Sequence, residues 1–316
     1  MSFNSGANAN LVQTRLDSLA KEEFDYPDQP DEVTSNDNLF FKQESFDKGS
    51  YVHEEIEGPG QVNEILEEQD VEEATPNSGN LVTTRIRKYA KDIPIPDELM
   101  DDAQMGAVEY EIRALARNMR LASTDWAFRR SYGDAFTATS GTPDGVALAS
   151  NSHVALSGDT VDNLETGALT AANLEVVVRS LRRQRAQDGT LGGHSASGLL
   201  VALNLHEDAF EITKSELAAG TADNQLNYWS NVYPGLRVGT SSYLHSDYNT
   251  LNTNVNTSYF VVSRHHQITR VSRKALETKL VPPDTDRKDR WFYRAKFREV
   301  VIPKTWSGIV GSNGTA

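Results

Sequence analysis

Residues 105–130 read MGAVEYEIRALARNMRLASTDWAFRR. Met105, Val108, Ile112, Leu115, Met119, Ala122 and Trp126 recur at alternating steps of three and four, which lays one apolar stripe along about six turns of helix. Arg113, Arg117, Arg120, Arg129 and Arg130 fall off the stripe, so the spacing predicts a long rod with one buried edge and a basic outer face. The pattern lasts about three heptads and stops at Tyr132-Gly133, too short for a coiled coil.

Upstream, Ile93-Pro94-Ile95-Pro96-Asp97-Glu98 ends an extended stretch and opens the helix, with proline preset for the first turn and carboxylates at the positive end of the dipole. Residues 81–95 carry Val82, Thr83, Thr84, Ile86 and Tyr89, all strand formers, and residues 38–46 and 49–56 also read as strand. Extended arms flanking a tip of roughly 25 residues rich in Gly, Pro and acid predict a long hairpin with little core of its own. Residues 11–24 show a short helical spacing before Tyr26-Pro27 and Gln29-Pro30 break it, and residues 1–37 as a whole read as an extended arm.

Downstream, residues 137–167 read as a loop region. A second helix is predicted at about 171–187, capped by Thr170 and stopped by Gly189. Leu174, Val177, Val178 and Leu181 form its apolar face, and Arg179, Arg182, Arg183 and Arg185 its basic one. Strands are expected at 199–205, 259–262 and 267–271, with a helix at about 206–219. Residues 291–302 alternate, Trp291, Tyr293, Ala295 and Phe297 one way and Arg294, Lys296 and Arg298 the other, as a half-buried strand does. No fixed-period repeat and no strand–helix alternation occur, so the class is α+β.

The 316 residues are 38% apolar and contain no cysteine, which suits one or two packed domains and excludes disulfides, thiol nucleophiles and zinc–thiolate sites. No run of about 18 apolar residues is present, and Met1 to Asn10 lack the order of a signal peptide, so the expectation is a soluble protein that stays where it is made. The net charge of −14 is unevenly placed: residues 1–75 hold 19 acids and 4 bases, the remainder 26 acids and 27 bases. Within the acidic quarter lies a polyanion of Glu54, Glu55, Glu57, Glu64, Glu67, Glu68, Asp70, Glu72 and Glu73. A segment so poor in apolar groups cannot build its own core, and neighbouring subunits are expected to hold it.

Chemistry-bearing motifs are weak. In Gly193-His194-Ser195-Ala196-Ser197 the last position of a nucleophile elbow is serine, and the strand follows instead of preceding it. His265-His266 in a strand point to opposite faces and cannot chelate together. Asp284, Asp286 and Asp289 lack the glycine and terminal glutamate of a calcium loop and, interleaved with Arg287, Lys288 and Arg290, read as a solvated turn. There is no Gly-rich phosphate loop. No catalytic residue, metal or cofactor is expected, and the protein is read as a non-enzyme. The arginine-rich helices have the footprint of a nucleic-acid binder, but residues 54–73 compete for the same arginines.

Three stretches carry a resemblance: Ile95-Pro96-Asp97-Glu98-Leu99-Met100-Asp101-Asp102 leading into the long helix; Asp144-Gly145-Val146-Ala147-Leu148 followed by His153; and Leu169-Thr170-Ala171-Ala172-Asn173-Leu174 opening a segment that ends at Gln187-Asp188-Gly189. In order and spacing they are similar to tailed-bacteriophage major capsid proteins of the Hong Kong 97-like fold, and most resemble the Mu-like head-subunit group. The resemblance implies an N-terminal arm (1–37), an extended E-loop hairpin (38–92), a P-domain (93–165) with a spine helix at about 102–130, an A-domain (166–272), and a return to the P-domain with a C-terminal strand (273–316).

It further implies self-assembly through hexamers and pentamers into an icosahedral shell enclosing double-stranded DNA without sequence specificity. Portal, scaffolding and decoration proteins are the implied partners, with no membrane. The implied location is the virion, assembled in the host cytoplasm. An encapsulin-like nanocompartment shares the fold and is the alternative; a soluble hydrolase using Ser195 with His194 or His206 is the rival of another class. The expected inter-subunit contact sets the acidic E-loop on Arg113, Arg117 and Arg120 of an adjacent spine helix, or on Arg182 and Arg183 of the neighbouring basic helix. Each exposed pair contributes only about 0.2–1 kcal/mol. Arm acids Asp17, Glu22, Glu23 and Asp25 are expected to line the inner face.

Overall fold

The computed structural model describes residues 5–25, 31–62, 64–65, 70–71, 73–75, 77–96, 105–137, 142–216, 226–247, 255–282 and 290–315. Two helices, α1 (Ser5–Asp25) and α2 (Met105–Arg129), lie against each other. Val108, Ile112, Leu115 and Met119 of the stripe are buried with Leu16, Ala20 and Phe24 of α1. The N-terminal segment is therefore a helix held by its own chain. Its few apolar residues suffice because the long helix and a sheet supply the rest of the core.

The far half of the stripe departs from the expected line. Trp126 and Ala122 are only half-buried, and burial passes through Ser123, Thr124, Ala127 and Phe128. A strict three–four alternation drifts by about 20° per heptad on a straight helix, so after three heptads the buried face has moved on. Arg120 is likewise buried, 4% exposed, and does not belong to an outer basic face. The side chain of Met105 and residues 97–104 lie outside the described residues.

A four-stranded sheet packs against this helix pair in the order β1 (Lys42–Ser45), β11 (Ile268–Val281), β12 (Arg290–Pro303), β4 (Arg87–Pro96), with β1 parallel to β11 and the other pairs antiparallel. Tyr293, Ala295 and Phe297 of β12 face the helices, as the alternation predicts, and Arg294, Lys296 and Arg298 face away. Strand β11 runs ten residues beyond the predicted Val271, because its outer half pairs with β12 through polar and charged residues that carry no strand signal. A separate hairpin, β2 (Ser50–Ile56) with β3 (Ser78–Arg85), projects from the sheet edge. The loop region contains one small ladder, β5 (His153–Val154) with β6 (Thr160–Val161).

The second sheet has the order β7 (Leu164–Glu165), β13 (Ile309–Ser312), β10 (Tyr259–Ser263), β8 (Ala196–Ala202), β9 (Arg237–Ser241). Both its faces are covered. Leu199, Val201, Tyr259, Val261 and Val310 meet α3 (Ala171–Arg183) and its neighbours α4 (His206–Lys214) and α5 (Tyr228–Val232). Leu200, Ala202, Phe260, Val262 and Ile309 meet Phe40, Phe41, Phe128 and Tyr132. This explains the unbroken apolar runs of β8 and β10. Phe40 lies against Gly198 and Gly239 on adjacent strands, where an added Cβ would come within 2.9 Å of the ring.

Helix α3 ends at Arg183, four residues before its predicted end. Gln184 leaves the helix at ψ 133 because its buried amide is used elsewhere, donating to Trp306 O and Ile309 O and accepting from Gly308 N.

Between the two cores lies a buried polar node. Arg270 of β11 donates through Nε to Glu299 of β12 at 2.8 Å and through its Nη groups to Glu299 again and to Asn36. Ser123 of α2 donates to the other Glu299 oxygen, and Ser35 and Ser123 share a 2.7 Å hydrogen bond. Removing one partner strands a buried charge, so Glu299→Ala is expected to cost about 3–5 kcal/mol in urea unfolding, whereas Lys274→Ala, which breaks an exposed pair, should change stability by less than about 1 kcal/mol.

Candidate inter-subunit surfaces

The hairpin leaves the body at an anchored base. Tyr51 is buried and donates to Glu44, whose carboxylate also takes Lys304 Nζ at 2.6 Å, and His53 Nε2 lies 3.1 Å from Lys304 O. Further out, Glu55 is 5% exposed. It accepts from Gln187 Nε2 at 3.1 Å and, at 3.5 Å, from Asn80 Nδ2 across the hairpin. Gly60 N donates to Asp188 Oδ2, and Gly58 sits so close to that carboxylate that an added Cβ would fall 2.5 Å from it.

Of the nine acids read as one exposed set, the structure separates Glu55, which is buried against the 184–190 loop. Glu57 is half-buried and accepts from Asn77. Glu54, Glu64, Asp70 and Glu73 are exposed, and Val62 and Val71 beside them are 91% and 75% exposed. Glu67, Glu68 and Glu72 lie outside the described residues.

The basic positions are also divided. Glu23 of α1 takes Arg117 at 3.0 Å and lies 3.8 Å from Arg113, and Arg120 Nη1 donates to the Glu23 carbonyl. The arm carboxylate thus occupies, within the chain, the arginines expected to receive a neighbour's loop. Asp17 is equally engaged, accepting from Thr278 Oγ1 and Tyr293 OH. Burial, together with the Asp17 carboxylate, pushes the Tyr293 phenol well up. Arg182 and Arg183 are exposed in the last turn of α3, where cations suit the helix dipole.

Nothing in the hydrolase motif assembles. His194 Nε2 meets Ser307 Oγ at 2.8 Å, Ser195 is exposed, and His206 pairs with Asp31. His266 is buried and donates to Leu39 O, and desolvation lowers its pKa to about 4, while His265 is exposed. Among the described residues no group of three or more acids and histidines is placed to hold a metal, and no helix is long and apolar enough to cross a membrane. The aspartate cluster at 284–289 lies outside the described residues.

The Asp144 and His153 of the second resemblance stretch form a buried pair at 2.5 Å, with the imidazole stacked on Trp306. Burial raises the Asp144 carboxyl, but hydrogen bonds from His153 and Thr142 outweigh it and hold the pKa below the ordinary value. Sequence reasoning missed Asn163 and Gln184, buried amides that tie the 148–163 loop and the end of α3 to Trp306 and Ile309. Polar residues next to apolar runs were their only signal.

Burial, reinforced by the nearby Asp144 charge, raises Glu55 from 4.5 to about 7. The docked hairpin therefore keeps a proton that a released hairpin gives up above about pH 4.5. Docking is strongest below that value and weakens as pH rises to about 7. Hydrogen exchange of the β2–β3 amides, corrected for intrinsic rates, should show an opening free energy that falls by about 1–3 kcal/mol across this window, and Glu55→Gln should flatten it.

The family model for phage capsid protein matches residues 81–312. No curated protein matches the sequence. Among solved structures, the virus-like particle from Pyrococcus furiosus aligns over 96% of this chain and 98% of its own at 8% identity, TM-score 0.50. The capsid of the cyanophage P-SCSP1u aligns over 91% and 90% at 11% identity, TM-score 0.50. The procapsid of bacteriophage JBD30 aligns over 97% and 75% at 10% identity, TM-score 0.50. At such identities the likeness establishes the fold, and with the family match over most of the length it leads to one conclusion: this chain belongs to the phage capsid protein family, whose members are structural proteins of the virion shell.

Proposed function

We propose that the protein is the major head subunit of a tailed bacteriophage, of Hong Kong 97-like architecture and closest to the Mu-like group. Copies assemble through hexamers and pentamers into an icosahedral shell around double-stranded DNA, with a portal and, where used, scaffolding or decoration proteins as partners. Residues 38–92 act as the E-loop, α2 as the spine helix of the P-domain, and residues 166–272 as the A-domain. The observation that carries the proposal is the hairpin itself. It extends an acidic segment with exposed Val62, Ile65 and Val71 away from any core of its own, which suits a segment completed by a neighbour. Residues Arg182 and Arg183 are candidate contacts for that neighbour, and the free acids Glu54, Glu64, Asp70 and Glu73 are candidates on the hairpin side.

The likeness to the Pyrococcus furiosus particle over nearly the full length of both chains supports a second proposal, a nanocompartment that encloses protein. Electron microscopy with sedimentation velocity of the purified protein tests both. Shells, tubes or five- and six-membered rings are expected. Nuclease-protected double-stranded DNA in particles from producing cells favours the head protein, and a co-purifying protein cargo favours the compartment. A species that stays monomeric at every salt and protein concentration, also with a crowding polymer, would overturn the shell.

A further inference from the structure

Where the hairpin joins the four-stranded sheet, an open cleft of about 880 Å³ runs between residues 83–88 and the end of β12. Its cations are Arg85, Arg87, Lys88, Arg130, Arg273 and Arg298, and no carboxylate lines it. The acids of this sheet are engaged further out, where Asp92 takes Arg294 through both oxygens and Glu277 takes Lys274 and Lys296. Among the described residues none of the six cleft cations forms an ion pair with a carboxylate. Strand β11 carries a bulge that leaves Arg273 without a cross-strand partner, between Ser272, opposite Glu299, and Lys274, opposite Arg298. A bulge re-aims the extra side chain, here into the cleft. The register also sets Lys88 directly opposite Arg298, a like-charged pair that destabilises a sheet until an anion lies over it.

We propose that this cleft grips the phosphate backbone of double-stranded DNA, an inference that rests on the enclosure of DNA proposed above. Five of the six cations are arginines, whose planar fork donates two parallel hydrogen bonds to a phosphate. A concave wall of one sign focuses its field. The chain carries a net charge of −14, concentrated in residues 1–75, so a polyanion is drawn to the cleft and repelled from the acidic quarter.

The lining distinguishes a duplex from a single strand. No aromatic side chain lines the cleft: Trp126 lies under Arg87, whose guanidinium sits 5.2 Å from the ring, and Tyr89 is stacked on Phe297. Without an exposed ring there is no platform for unstacked bases. A duplex needs none, since it presents one phosphate charge per about 1.7 Å of its axis to cations arriving from two strands and a helix end. No carboxamide or carboxylate is present to read base edges, so the contact positions the backbone without regard to sequence.

Binding of a short random-sequence duplex to the purified full chain, followed by fluorescence anisotropy across a salt series, tests the assignment. The slope of log K against log salt changes by about 0.9 for each phosphate contact. Arg85→Gln with Arg298→Gln is expected to reduce the slope by about 2, and Arg85→Lys with Arg298→Lys to keep it near the wild-type value. Arg129→Gln with Arg179→Gln removes the same charge at positions paired with Asp125 and Glu175 and should leave the slope unchanged. The chain has no native cysteine, so a Thr84→Cys variant can carry an aryl azide in the cleft, attached before assembly. Illumination of DNA-containing particles is expected to join it to DNA.

A wild-type chain that binds no duplex at low salt overturns the proposal, as does a double Gln variant with the wild-type slope. An equal loss of slope in the Arg129 and Arg179 variant would mean a response to net charge alone and overturn it too. Attachment of the azide only to a second subunit would give the cleft to protein. In each of these cases particles filled with DNA leave the shell function standing. If instead the chain binds duplex through the cleft while its particles never contain DNA, the enclosure of DNA falls and the cleft remains a DNA site.

Discussion

Arg270 and Glu299 face each other across two central strands with almost no access to water, and both depend on groups from elsewhere in the chain. Ser123 brings α2 to the pair, Asn36 brings the arm, and Gln43 brings β1. Two opposed charges in such a place are held only if the remaining lone pairs and protons are satisfied. The node therefore demands that helix, arm and sheet be in register together. It also marks the boundary between the aromatic core under the five-stranded sheet and the core of the helix pair.

The arm does more than fill a groove. Residues 31–33 add to the edge of β9, with Val33 N bonded to Thr240 O and Thr240 N to Asp31 O, and residues 42–45 add to the edge of β11. One short stretch thus covers an open edge on each sheet, removing unpaired backbone groups that would otherwise invite irregular association. The charge of the chain is sorted in the same spirit. Glu23 of the arm takes Arg117 inside the subunit and Asp37 takes Arg237, whereas Glu54, Glu64, Asp70 and Glu73 of the hairpin form no ion pair among the described residues. An exposed acidic segment of this kind favours docking on a basic surface, since like-charged misplacements are penalised.

The long helix and β12 were legible because each has one wet and one dry side over many residues, which fixes the period. The outer half of β11 was not. Lys274, Glu277 and Lys279 are exposed or half-exposed and pair with charges on β12, a pattern that Ala275-Leu276 makes look helical. Arg117 and Arg120 are three residues apart in one basic run, yet only one is buried, and the difference comes from α1 lying across them. Glu55 is indistinguishable in sequence from Glu54 and Glu57; Gln187 and the 184–190 loop single it out. The open cleft between residues 83–88 and the end of β12 was invisible for the same reason, since Gly49, Arg85 and Arg298 converge from widely separated parts of the chain.

Strand β13 comes last in the chain and yet sits inside its sheet, between β7 and β10, with all four of its residues buried. A nascent chain lacking it has β10 open along one side and Ile309 and Val310 missing from two separate clusters. The sheet must wait for its most distant pairing before it can close, a slow and non-local step. A copy that stops short of β13 carries an unfinished sheet and lacks the surface of the complete subunit.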